Sequence, residues 1–202
     1  MVSVTTAVAP LKTVVVADDA SLRRVLREGL QQRCGHEVLG EAVTATEMIR
    51  TALSLEPEVI VFDVRLRDGS GLEALRQIYQ ERPVGAVAIA EEEDQEMVRQ
   101  ALSEYQMAYL IKPVAPHQLE PAVMVAWARL NTCRRLQNEN ASLRQTLENR
   151  KLIERAKGVL MKRLRCSEDV AFRRLQRAAM NRRTTMAALA QSVLNGVEVD
   201  LR

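Results

Sequence analysis

The chain has 202 residues, enough for one ordinary core plus a smaller unit. Hydrophobic residues make up 47% and charged residues 27%, a globular balance rather than a disordered one, and aromatics, at 3%, are too few for a site built on many stacking platforms. The net charge of +3 hides an asymmetry: residues 1–119 carry 12 basic and 18 acidic side chains and residues 120–202 carry 17 and 8, so an acidic front precedes a basic back suited to a polyanion or to a solvated helical surface.

Met1 to Pro10 lacks the basic start and long apolar core of a secretory signal and reads as a loose tail. No apolar run reaches the roughly 20 residues that a membrane span needs, so no membrane partner is expected. Cys34, Cys133 and Cys166 are widely spaced and odd in number. They imply neither a disulfide framework nor a metal pair, and a cytoplasmic, reducing setting is the expectation.

Val14–Ala17 is a buried-strand run, and Leu22, Val25, Leu26 and Leu30 then recur at helical spacing. Glu37–Ala42 reads as a second strand, with Met48, Ile49, Ala52 and Leu53 marking a helix behind it. Val59–Phe62 is a third strand, followed by a helix on Leu72, Leu75, Ile78 and Tyr79. Ala86–Ala90, a helix around Met97–Leu102, and Met107–Ile111 complete the series. Five short strands alternating with helices predict a doubly wound α/β fold with a five-stranded parallel sheet, covered on both faces, whose ligand site lies at the carboxyl ends of the strands.

After Pro116 the pattern becomes helical throughout. Cys133, Leu136, Asn140, Leu143, Leu147 and Arg150 fit alternating three- and four-residue steps, either a short coiled-coil seam or one long surface helix; in the seam, Asn140 takes an a-type position that fixes register. Leu152, Ile153, Ala156, Val159, Leu160 and Leu164 form the next apolar stripe. Ser167, followed by Glu168 and Asp169, caps a helix that turns Val170, Ala171, Leu175 and Ala178 inward, and Thr184 or Thr185 caps a last helix carrying Met186, Leu189, Ala190 and Val193. Ala156, Met161 and Met180 read as core rather than contact residues.

Asp18 and Asp19 directly follow the first strand and Asp63 directly follows the third, so three carboxylates can converge at the strand ends. Their mutual repulsion calls for a hard divalent cation such as Mg²⁺, and Lys112, after the fifth strand, can hold a phosphoryl oxygen in the same pocket. Lys112-Pro113 is either a cis or an ordinary trans peptide. These residues, with the run FDVRLRDGSGLEAL and Tyr109-Leu110-Ile111-Lys112-Pro113, resemble the receiver domain of two-component response regulators over about residues 11–118, a flavodoxin-like fold. The resemblance implies Asp63 as phosphoacceptor, Asp19 as direct metal ligand, Asp18 as outer partner, the Arg65 carbonyl as a further ligand, Lys112 on the phosphoryl group and Tyr109 as a rotating switch. It also implies a sensor histidine kinase or other phosphodonor as partner. Ala90 departs from the family's usual Ser or Thr there, and Arg67 stands where many receivers have Pro. Glu91-Glu92-Glu93-Asp94 is expected to bring unfavourable negative charge to the site.

The stretch from Glu154 to Met161, ERAKGVLM, with Ala171-Phe172, Leu175, Ala179-Met180, Arg183, Thr185 and the final Leu189-Ala190, resembles the ANTAR domain, the RNA-binding module of transcription antitermination regulators. The resemblance implies binding to RNA hairpins. Lys157, Lys162, Arg163, Arg173, Arg174, Arg177, Arg182 and Arg183 are the candidate cationic contacts, and Thr184 and Thr185 offer hydroxyls to phosphate. Gly158, unfavourable in a helix by roughly 1 kcal/mol relative to Ala, is expected to mark a close approach.

The expected layout is a tail over 1–10, the receiver over 11–118, a helical coiled-coil linker over 119–149 that forms a homodimer, a three-helix ANTAR unit over 150–196 and a tail over 197–202. The expected function is a phosphorylation-controlled, dimeric RNA-binding antiterminator and not an enzyme. Ala90 motivates a pseudo-receiver controlled by a protein or ligand instead. A DNA-binding regulator is the alternative of another class, although the turns fit a helix-turn-helix poorly.

Overall fold

The protein, seen in a computed structural model, is described over residues 9–105 and 107–196; apart from Ala9 and Pro10, the expected tails lie outside the described residues. Two compact units divide between Arg135 and Leu136.

In the first unit the five expected strands form as β1 (Lys12–Val16), β2 (Glu37–Ala42), β3 (Val59–Asp63), β6 (Gly85–Ala90) and β7 (Met107–Ile111). Between β3 and the next helix lies a two-residue hairpin, β4 (Arg65–Leu66) with β5 (Gly69–Ser70), too short to have a sequence pattern. The helices are α1 (Ala20–Glu28), α2 (Ala45–Leu55), α3 (Gly71–Glu81), α4 (Gln95–Glu104) and the start of α5 (Pro116–Leu164). The sheet is all parallel in the order β2-β1-β3-β6-β7.

Alternation along the strands divides the core in two. Val14, Val16, Ile60, Phe62, Ala86, Ala88 and Ala90 pack on one side with Met48, Ala52, Leu75, Ile78 and Val98 from α2, α3 and α4. Val15, Val59, Val61, Val87 and Ile89 pack on the other with Leu26 and Leu30 and with Leu119, Ala122, Val123 and Ala126 of α5. The first-unit packing therefore runs past residue 118, because a parallel sheet needs both faces covered and the opening turns of α5 supply half of that cover. From there α5 continues unbroken to Leu164, so the expected linker and the first helix of the basic region are one helix.

Near the start of α5, His36 is buried, with its Nε2 3.2 Å from Glu120 Oε2. Burial, reinforced by a hydrogen bond to Glu120 and by the charge of that carboxylate, pushes the neighbouring Cys34 thiol up to about 12 from an ordinary 9.0. The thiolate is the reactive species, so Cys34 at pH 8 should alkylate about 1,000-fold more slowly than a model thiol. Mass mapping of iodoacetamide adducts over time checks this, and Glu120→Gln should shorten the delay.

The second unit is built on the last turns of α5, with α6 (Glu168–Asn181) and α7 (Met186–Leu194). Ala156, Leu160, Ala171, Leu175, Ala178, Ala179, Leu189, Ala190 and Val193 form its core. Alanine at five of these nine positions lets the helices approach closely. Of the two candidate threonines it is Thr185 that caps α7, its hydroxyl accepting from the Ala188 N–H at 3.2 Å. Both turns between helices use an arginine in the left-handed region, Arg165 at φ 49° and Arg183 at φ 50°. At the end of α6 the Thr184 N–H reaches the Ala179 carbonyl and the Arg183 N–H the Met180 carbonyl, the double closure usually made with glycine.

Three expectations for this unit need correction. Val170 is exposed, since it lies on the opposite side of α6 from Ala171 and Leu175. Met180, expected in the core, is 73% exposed. A side chain at Gly158 would meet nothing within 4 Å, so no close approach inside the unit accounts for that glycine.

Candidate functional site

The registers bring the expected strand ends together. Val16 pairs with Phe62, Asp63 with Ile89 and Ala90 with Ile111, so Asp18, Asp19, Asp63, Ala90 and Lys112 leave the sheet at one edge. Asp63 is 2% exposed. Its Oδ2 lies 2.7 Å from Lys112 Nζ, and its Oδ1 accepts from the Arg65 N–H at 3.1 Å. Burial pushes the Asp63 carboxyl above the usual range; hydrogen bonds from Lys112 and Arg65 oppose this, and the charge of Asp18 adds to it. Burial works to lower the Lys112 ammonium, but hydrogen bonds to Asp63 and Glu91 outweigh it and hold the ammonium above its ordinary value.

Asp19 has a second task that the sequence reading did not assign. Its Oδ1 caps α1, accepting from the Ser21 N–H and hydroxyl at 2.6 Å each and from the Leu22 N–H at 3.3 Å. The Ser21 hydroxyl is the main reason its carboxyl sits below the ordinary value. Among the described residues no group of three or more His, Cys, Asp or Glu side chains is gathered closely enough to hold a metal ion. Lys112 is the cation beside Asp63 here. The donor set is still all oxygen, which suits a hard divalent cation and excludes a soft one.

The acidic run after β6 is not the bare charge that the sequence suggested. Lys112 Nζ lies 3.1 Å from Glu91 Oε1. The Arg65 guanidinium lies 2.9 Å from Asp94 Oδ1 and 3.2 Å from Glu93 Oε2. Three of the four acids are therefore paired, and Asp94 is itself buried. The Arg65 side chain, singled out earlier only for its carbonyl, is what joins the loop after Asp63 to this run. Ala90 is fully buried at the end of β6, where its carbonyl accepts from the Lys112 N–H at 2.9 Å and its methyl offers no hydrogen bond. Tyr109 is half-buried against the core formed by α2, α3 and α4. Lys112-Pro113 is cis.

The loop beyond Asp63 is held from two sides. Asp68 accepts from the Ala45 and Thr46 N–H groups at the start of α2 and from the Thr46 hydroxyl. Gly71 opens α3 with its N–H 2.8 Å from the Val64 carbonyl. A Cβ at Gly71 would run into the Asp63 carbonyl and lie 2.6 Å from the Phe62 ring. Gly71→Ala should therefore cost about 1–3 kcal/mol and shift the backbone that carries Asp63. A lower urea midpoint together with slower phosphodonor labelling checks both effects.

In the second unit Lys162, Arg163, Arg173, Arg174, Arg177, Arg182, Arg183, Thr184 and Thr185 are all exposed. Arg173 and Arg177 stand one turn apart on α6. Lys157 does not join them. It is 8% exposed, with Nζ 2.8 Å from Glu154 and 2.6 Å from Glu168, and 5.8 Å from the centre of the Phe172 ring. Its earlier place in the cationic surface is corrected: Lys157 ties α5 to the start of α6, and Glu168, read as a simple first-turn acid, is its partner. Along α5, Leu136, Leu143 and Leu147 are between 53% and 59% exposed, and Asn140 is exposed with them.

The response regulator receiver domain family matches residues 13–124 and the ANTAR domain family residues 141–194. The chain is 36% identical over 188 residues to the transcriptional regulatory protein PdtaR of Mycobacterium tuberculosis, covering 93% of this chain and 91% of that one. Among solved structures, the response regulator domain of Thermotoga maritima CheB matches 61% of this chain and 98% of its own at a TM-score of 0.53 and 24% identity. The receiver domain of AraT from Geobacillus stearothermophilus matches 62% and 99% at 0.55 and 22%. At these identities the two structures show the fold alone.

Proposed function

The chain belongs to the response regulators that join a receiver domain to an ANTAR domain, and we propose that it is a cytoplasmic, Mg²⁺-dependent phosphoacceptor on Asp63 that binds RNA stem-loops as a dimer and promotes transcription antitermination. The observation that carries the receiver half is the buried Asp63 carboxylate at a strand end, 2.7 Å from Lys112. A carboxylate oxygen of Asp63 attacks the phosphorus of a sensor kinase phosphohistidine or a small phosphodonor. The P–N or P–O bond breaks, and the leaving group keeps its electron pair. Asp18, Asp19, Asp63 and the Arg65 carbonyl would hold Mg²⁺, which supplies positive charge against the repulsion between carboxylate and phosphoryl group. Lys112 moves from Asp63 to a phosphoryl oxygen and orients the adduct.

The output half is supported by nine exposed basic and hydroxyl side chains on a small helical unit. Arginine bridges phosphates bidentately and stacks on unpaired bases, which suits stem-loops where aromatics are scarce. The exposed leucines at 136, 143 and 147 lie at seam spacing and support pairing of two chains through the exposed later part of the 119–149 stretch of α5, with exposed Asn140 setting register.

A competition gel of the full chain with stem-loop RNA against duplex DNA tests the reading. Stem-loop preference is expected, with affinity falling steeply as salt rises. Preference for duplex DNA would sink the RNA assignment. A second reading is favoured by one observation: Ala90 gives a phosphoryl group no hydroxyl, and Glu91 already shares Lys112. In that reading the first unit takes no phosphoryl group and is controlled by a bound protein or ligand.

A further inference from the structure

Met180 is the anomaly of the second unit: at 73% it is more exposed than the leucines of the α5 seam, yet it sits in the most basic part of the molecule. Helical spacing puts Arg173, Gln176 and Arg177 on the preceding turns of its side of α6 and Arg183 just beyond it. We propose that Met180 is a base-contacting residue, an apolar and polarizable face for one unstacked base of a stem-loop whose phosphates are held by the arginines around it. The inference rests on the RNA reading above and deepens it.

Composition makes the position informative. Phe172 is the sole aromatic residue of the second unit, and its ring faces the Lys157 ammonium that links α5 to α6. An unpaired base that leaves its stack needs an apolar or π face in exchange, and on this stretch of α6 Met180 offers one. Thioether sulfur makes favourable contact with aromatic rings, and the unbranched side chain adapts to different bases. Val170 and Phe172, the other exposed apolar residues of α6, are each about half as exposed; Val170 lies beside the acidic start of the helix at Glu168 and Asp169, a poor place for a polyanion, and the Phe172 ring already carries the Lys157 ammonium.

The backbone fixes where the Met180 side chain leaves α6. Its own carbonyl accepts from the Arg183 N–H at 3.1 Å, and the preceding carbonyl, of Ala179, from the Thr184 N–H at 3.0 Å. This closure holds Arg183 at φ 50°, a conformation that non-glycine residues adopt at a cost. Met180, Arg183 and Thr184 are thus presented together from one doubly hydrogen-bonded turn. A second copy of this chain is a weaker occupant, since the same arginines would face one another across the contact.

The test uses the full chain with stem-loop RNAs selected from a randomised-loop pool, and with a blunt duplex of the same stem. Met180→Ala should weaken stem-loop binding about tenfold, the usual worth of one base contact, with the salt slope unchanged and duplex binding unaffected. Met180→Leu should retain most of the affinity and Met180→Gln should not. Arg177→Ala should weaken both ligands and lower the slope by about one. Unchanged stem-loop binding by Met180→Ala, an equal loss on duplex, or a change in chain association by light scattering overturns the proposal while leaving the RNA reading standing. Failure of the unaltered chain to bind any selected stem-loop overturns both. The exposure of Met180 means that alanine leaves the fold intact, which circular dichroism verifies.

Discussion

The Asp63→Asn protein stays unmodified when incubated with Mg²⁺ and a small phosphodonor, while the unaltered chain gains one phosphoryl group by intact mass. The loss is complete because, among the described residues, no other carboxylate combines burial with an ammonium at 2.7 Å. An adduct of the same yield on Asp63→Asn would place the acceptor elsewhere. Stability should respond in the opposite sense from the usual loss of an ion pair. Burial holds the Asp63 carboxyl above its unfolded value, so the folded chain binds more protons than the unfolded chain between the ordinary carboxylate range and that raised value. Stability therefore falls as pH rises through this window, and the ionised group is a penalty above it. Asparagine removes the penalty and leaves Lys112 paired to Glu91. The variant should melt no lower than the unaltered chain at pH 7, and the gap should close as pH falls. Ala90→Thr extends the test: a hydroxyl near Lys112 should lengthen the life of the adduct if the pocket works as a phosphoryl site.

The carboxylates and the lysine were legible in the sequence because each follows a strand run directly, and strand ends are where a parallel sheet gathers its chemistry. The strands themselves were legible because they are continuous and apolar. What surrounds them was not. Asp19 capping α1, Arg65 reaching Glu93 and Asp94, and Asp68 tying the post-Asp63 loop to α2 are pairings between residues distant in sequence or bonds from a side chain to a nearby backbone. Neither leaves a periodic trace. The acidic run read as unfavourable charge because its cations lie 26 residues before and 21 residues after Glu91.

The second unit shows the complementary limit. Its helices were readable from spacing and caps, but the side on which a residue falls was not always readable. Nothing local in the sequence distinguishes Lys157 from the exposed Lys162; the buried site exists only because Glu168 arrives from the next helix. Met180 is apolar, and apolar character alone predicts an inward position that the structure does not give it. Its neighbour Ala179 takes that place, and alanine fills five positions of this core.

That packing makes the second unit the more fragile of the two. Leu175→Ala removes a fully buried side chain from a core with few large members, and the expected cost is about 2–5 kcal/mol. A small helical unit has only a few kcal/mol to lose, so the truncation should unfold it or leave it marginal. The first unit should not follow, since its two core clusters share no residue with the cluster around Leu175. Hydrogen exchange reads the difference directly: amides over Glu168–Leu194 should lose protection while those of β1, β3 and β6 keep theirs. RNA affinity should disappear with the protection. Arg173→Ala separates contact from stability, because an exposed arginine should lower affinity and salt slope with no change in exchange. Loss of protection across the sheet in Leu175→Ala would mean that the continuous α5 couples the units into one cooperative structure. The signal from Asp63 to the RNA surface would then be carried by that helix rather than by the association of chains.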